Sequence, residues 1–221
     1  CYTVFRKNKS RYAAKWKGTS SKMQQQHSLL KQFIRFSTAT VASLMVFSLY
    51  SIVDGLFVAR GVGEYAMSAV NLAVPFINLL FSIAVIFAVG TSTIIAYLLG
   101  QGNPQSANRL FSQNLVTLAV IGATISILVM VFTEPFALLL GANADTLEYT
   151  IHYLQGLAPF AVCFMISYNL EVLVKTDGRP RMALATVCVG CATNCVLDYL
   201  AIFHWDMGIW GAAAATGVSQ L

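Results

Sequence analysis

The sequence predicts an all-α, polytopic membrane protein, and three observations predict it. Its 221 residues are 57% hydrophobic and only 10% charged, whereas soluble domains carry about 25% charged residues. From residue 34 onward, uncharged stretches long enough to cross a bilayer alternate with short clusters of Gly, Pro, Asn and charged residues. Lys and Arg gather at alternate turns, the pattern that fixes orientation in membranes. A soluble core is excluded. The formal charge of +5 belongs to one end: nine of the fourteen Lys/Arg lie at or before Arg35, and all nine Asp/Glu follow. Such a basic tail points to a membrane face and lipid bilayer, not to nucleic acid.

Residues 1–27 read as a basic cytoplasmic tail. Cys1 to Lys22 contains no apolar run, so it is neither a signal peptide nor a span; it is expected to be loosely ordered, with Met23 as the natural start and Gln24 to Lys31 as an amphipathic lead-in. The first span is 34–58, with Arg35 at its mouth and Asp54 near its far end. The second is 66–99, with Pro75 inside, where the missing N–H is expected to kink the helix or relax it near Asn71. Leu99-Gly-Gln-Gly-Asn-Pro104 stops it. After Arg109 comes the third span, 110–133, ended by Glu134-Pro135 before an acidic loop. The fourth, 146–174, holds Tyr153, a second kink residue Pro159, Asn169 and Glu171, and closes on the basic turn Lys175-Thr-Asp-Gly-Arg-Pro-Arg181. The fifth is 182–203. A sixth, 208–221, is cut short at about 15 residues, below the roughly 20 needed to cross. The N-terminal tail, the Arg109 turn and the 175–181 turn share one face, which places the N-terminus in the cytoplasm.

Asn194 and Asp198 interrupt the apolar fifth span. Four residues apart, they lie one above the other on the same helix face. A headgroup-level aspartate, hydrogen-bonded and inert, is the competing reading. Depth argues against it, because uncharged residues run from Met182 to Leu197 before Asp198 and from Tyr199 to Trp205 after it. An ionisable group at such a position marks an ion or proton pathway by default, and Asp54 supplies a second carboxylate.

Other chemistries are poorly supplied. Cys188, Cys191 and Cys195 fall within an apolar helix with no second cysteine pair or histidine cluster, so no metal site is expected there. The three histidines, His27, His152 and His204, form no catalytic motif. Not an enzyme is the expectation, although an integral-membrane enzyme using Asp54 and Asp198 on a lipid headgroup stands as a distant rival.

Several segments together, in order, resemble the multidrug and toxic compound extrusion (MATE) antiporters: Ile52-Val-Asp-Gly-Leu-Phe-Val-Ala-Arg-Gly-Val-Gly63, Ala69-Val-Asn-Leu-Ala-Val-Pro75, Ala96-Tyr-Leu-Leu-Gly-Gln-Gly102, Asn194-Cys-Val-Leu-Asp198 and Gly208-Ile-Trp-Gly-Ala-Ala-Ala-Ala-Thr216. The resemblance covers 28–221 and implies the N-terminal six-helix lobe of a twelve-helix, paired-repeat transporter whose C-terminal lobe is missing from this sequence. It further implies export of amphipathic or cationic organic compounds across the cell membrane in exchange for H+ or Na+, with no cofactor beyond that coupling ion. The implied cation or proton site is Asp54, Asn194, Asp198 and Thr216, with Tyr153 and Asn169 supporting the cavity; Na+ is the metal ion such a site could take. Two carboxylates in one confined cavity cannot both ionise cheaply, so the pair can take up a proton or share a sodium ion. Members of that family often carry a proline in the first helix before the aspartate; this chain has none between Ile34 and Asp54. A flippase for lipid-linked sugars shares the architecture and is the nearer rival, but it is expected to line its cavity with arginines.

Overall fold

The computed structural model describes residues 22–220, so residues 1–21, and with them most of the stretch before Gln24 expected to be loosely ordered, lie outside the described residues, whereas Lys22 and Met23 belong to a helix. Every regular element among them is helical. The order is α1 (Lys22–Gly61), α2 (Glu64–Gly100), α3 (Pro104–Val131), a short α4 (Thr133–Leu139), α5 (Leu147–Leu157), a 3-10 turn (Ala158–Phe160), α6 (Ala161–Thr176), α7 (Pro180–Tyr199), a π-helical turn (Leu200–His204) and α8 (Gly208–Val218). Five stretches are long and apolar enough to cross a membrane: Phe36–Gly61, Glu64–Gly100, Pro104–Val131, Leu147–Thr176 and Pro180–His204. This is a multi-pass membrane protein.

The helices start and stop for local reasons. Pro104 opens α3, where its missing N–H costs nothing, and the Asn103 side chain accepts from Ser106 N at 3.1 Å. Asn143 organises the turn before α5, its Oδ1 accepting from the N–H groups of Asp145 and Thr146 and from the Thr146 hydroxyl. Two details differ from the sequence expectation. The acidic stretch after residue 133 is partly helix, because Pro135 ends α3 yet fits the first turn of α4. Helix α1 also runs unbroken from the lead-in through Asp54 to Gly61.

The two prolines behave differently. Helix α2 stays α-helical through Pro75, whereas Pro159 sits in the 3-10 turn that divides the fourth span. The buried face of α2 is a stripe of Ala66, Ala69, Ala73, Phe76, Leu80, Ala84 and Ala88 at helical spacing. Small residues let helices approach closely where lipid removes the hydrophobic drive to associate. The same device holds α5 and α8 together: a side chain added at Gly156 would meet Ala213 Cβ at 2.7 Å and the Trp210 carbonyl at 3.0 Å. Helix α1 lies along α7, α2 along α6, and α8 packs between α5 and α7. Large apolar side chains such as Ile86, Val131 and Val189 face outward, as a lipid environment requires.

Candidate functional site

The packing of α1 along α7 decides what Asp54 can meet. Asn194 and Asp198 project from one face of α7 and are 1% and 0% exposed. Asp54 comes from α1, and its carboxyl lies against that of Asp198, which in turn lies beside Asn194. Thr216 joins from α8 and is buried. Its hydroxyl donates to the Ala212 carbonyl at 3.0 Å and accepts from Asn194 Nδ2 at 3.3 Å. That bond orients the amide and leaves its oxygen turned elsewhere.

The consequence is a cluster of buried oxygens without hydrogen-bond partners. Asp54 Oδ1, Asn194 Oδ1 and both Asp198 carboxylate oxygens are buried and reach no hydrogen-bond partner. Buried polar atoms are nearly always satisfied, and an unpaired buried charge is costly. Four oxygens of this kind suit either a proton shared between the carboxyls or a hard cation such as Na+, which prefers oxygen ligands. The residues present therefore fit the coupling ion that the sequence resemblance implies. Tyr153, 2% exposed on α5, lies in the electrostatic neighbourhood of both aspartates. Phe57 packs edge-on to Phe203 and Tyr199, with ring centroids 5.9 and 6.3 Å apart. The π-helical turn follows Tyr199 directly, and such turns recur at functional sites.

Asn169 belongs to a different arrangement. It is fully buried on α6, and its Oδ1 accepts from Asn114 Nδ2 of α3 at 2.7 Å. Asn114 was not singled out in the sequence, although an amide within an otherwise apolar span is a signal. Two further residues were missed as site components. Tyr50, one turn before Asp54, lies in the electrostatic neighbourhood of both aspartates, and Glu171, read in the sequence only as part of the fourth span, forms an ion pair with Lys175 at 2.6 Å. Tyr50, Glu171, Lys175 and Asn194 all line a cleft of about 360 Å³ between α1, α2, α6 and α7. Among the described residues, no group of three His, Cys, Asp or Glu side chains is placed to hold a metal ion, and Cys188, Cys191 and Cys195 are unpaired thiols.

Bundle and cluster together define a multi-pass membrane protein with a buried acidic site inside one helical lobe. The MatE family model matches residues 39–200, and the chain belongs to that family, whose members are transporters. It is 26% identical over 196 residues to the multidrug export protein MepA of Staphylococcus aureus strain NCTC 8325, covering 87% of this chain and 43% of that protein. MepA of Staphylococcus saprophyticus is 27% identical over 197 residues, with 88% and 43% covered. Among solved structures, the outward-facing conformation of a multidrug resistance MATE family transporter of the MOP superfamily superposes with a TM-score of 0.79 at 27% identity, covering 86% of this chain and 42% of that one. A MATE transporter in complex with MaD3S gives 0.78 at 27% identity, covering 86% and 43%. The chain thus spans less than half the length of the relatives it matches, and corresponds to an N-terminal half of a MATE transporter.

Proposed function

We propose that this chain is the cation-binding lobe of a multidrug exporter that expels amphipathic and cationic organic compounds in exchange for H+ or Na+. The buried, unpartnered oxygens of Asp54, Asn194 and Asp198, with Thr216 holding the amide, carry the reading. In that function the cluster alternates between a loaded and an unloaded state. Loading a proton or sodium ion removes the repulsion between the two carboxyls and draws α1 and α7 together, whereas unloading lets them part. Because α8 is tied to α7 through Thr216 and Asn194, the change reaches a third helix. A C-terminal lobe of the same protein would supply the second half of an alternating-access machine, in which one repeat rocks against the other. Coupling requires only that ion and substrate stabilise different conformations. The Lys/Arg bias of the turns supports a cytoplasmic N-terminus and insertion in the cell membrane. Expression of the complete gene product in a drug-sensitive host tests the function: accumulation of a fluorescent lipophilic cation falls, and collapsing both the proton and the sodium gradients restores it. Export that survives loss of both gradients rules the reading out.

A further inference from the structure

The basic 175–181 turn marks one end of α7, and the opposite end of the lobe holds a pocket that the ion site does not include. It has a volume of about 220 Å³ and is lined by Val62 just past α1, by Glu148, Tyr149 and His152 of α5, and by Gly208 and Ile209 of α8, among others. The helices around it are those that carry the ion site. Helical bonding continues from Val58 to Val62, so Val62 stands eight residues beyond Asp54, and Gly208 stands eight before Thr216, about 12 Å along either helix. On α5, His152 directly precedes Tyr153. The pocket therefore lies over the cluster, nearer the membrane edge. An apolar seal stands between them: Val58 of α1, Ile202 of the π-helical turn and Ile209 are 0%, 4% and 3% exposed and belong to one buried cluster. Ile202 packs so closely on α1 that any side chain at Gly61 would collide with it.

We propose that this pocket is the outer port of the ion site: the coupling cation collects at Glu148 and reaches Asp54 and Asp198 when the seal of Val58, Ile202 and Ile209 opens. The proposal rests on the ion-exchange reading and assigns the route by which the ion arrives. Glu148 is the only acidic side chain lining the pocket, and it is exposed. A carboxylate at the mouth of a cleft with low-dielectric walls raises the local concentration of cations and their rate of entry. His152 follows one turn later on the same face of α5, which gives a proton a second group to occupy on the way in. The charged or titratable groups on the adjoining turns, Arg60, Glu64, Asp145, His204 and Asp206, are all exposed, and none lines the pocket. The seal suits exchange, because it keeps ions from entering unless the lobe moves. Ile202 belongs to the π-helical turn and not to the α-helical part of α7, so the seal can shift while Asn194 and Asp198 stay in place.

Right-side-out membrane vesicles that contain the complete gene product and are loaded with ethidium test this. Initial efflux is followed as external pH is varied without sodium in one arm, and as external Na+ is varied at fixed pH in the other. In the arm that drives efflux, Glu148→Gln should raise the half-saturating external ion concentration about tenfold, or about one pH unit, the low end of what a focusing charge contributes. The maximal rate should stay close to that of the parent, and Glu148→Asp should keep both quantities near the parent. A merely structural Glu148 predicts a lower maximal rate at unchanged half-saturation; that result, or no change in either quantity, overturns the proposal. Val62 tests the port by blockage. A bulky, impermeant maleimide added outside, with labelling verified by mass, should remove most ion-driven efflux from Val62→Cys and little from the identically treated parent with its native cysteines. Undiminished efflux from the labelled variant also overturns the proposal. Parent vesicles that export in neither arm sink the export reading and the port with it, whereas parent export with an unaltered Glu148→Gln sinks the port alone.

Discussion

Asn114 and Asn169 offer a test of the packing that holds the lobe together. The two amides are 4% and 0% exposed and share one bond of 2.7 Å between α3 and α6, while Asn114 Oδ1 and Asn169 Nδ2 have no partner. A side-chain hydrogen bond between membrane helices contributes about 0.6 kcal/mol on average, and up to about 1.7. Truncating one partner costs more than that, because the other amide is left buried and wholly unpaired, a penalty of about 1–3 kcal/mol. Leucine is close to asparagine in shape, so Asn114→Leu and Asn169→Leu should each destabilise by about 1–3 kcal/mol. Replacing both removes the orphaned amides along with the bond. The double variant should therefore be less destabilised than the sum of the singles, and close to the parent. Thermal or denaturant unfolding in detergent, with all four proteins compared in one double-mutant cycle, measures the coupling. Additive losses, with no coupling beyond about 0.5 kcal/mol, would refute the inference that these amides act as a pair.

Further outcomes follow from individual contacts. Gly156→Ala should lower the unfolding temperature, at a cost of about 1–3 kcal/mol, because its Cβ would press on Ala213 and on the Trp210 backbone carbonyl. Gly90→Ala, with nothing within 4 Å of the added methyl, should leave stability unchanged or slightly raised, as alanine favours helix over glycine. Thr216→Val keeps the shape but removes the hydroxyl that accepts from Asn194 and donates to Ala212. Ion-driven efflux should fall strongly in that variant and recover largely in Thr216→Ser, at matched expression; equal loss in both would mean the hydroxyl does not position Asn194.

Much of this architecture could be read from the sequence because lipid imposes a strong constraint: uncharged runs of span length have few alternatives to helix. Asn194 and Asp198 were visible for the same reason, as polar groups four apart in an apolar rod. What the sequence hid depends on neighbours distant along the chain. Asn114 and Asn169 are 55 residues apart, and nothing local says which helix faces which. The cleft that Glu171 lines could not be read locally, because it is built by α1, α2 and α7 as well as by its own helix. The π-helical turn at Leu200–His204 has no compositional mark, and Pro159 pointed to a break without specifying the 3-10 turn. Glu134-Pro135 misled for a physical reason, since proline forbids continuing one helix yet opens the next.

The central claim, that Asp54 and Asp198 act as one ion-binding unit, is tested most directly by gradient-driven efflux from Asp54→Asn, Asp198→Asn and the double variant at matched membrane expression. Asparagine retains shape and hydrogen-bonding capacity, so all three should insert and fold. Each single variant should lose most transport, and the double should be little worse than either, because groups that act together are non-additive. Normal gradient-driven efflux by Asp198→Asn would contradict the account.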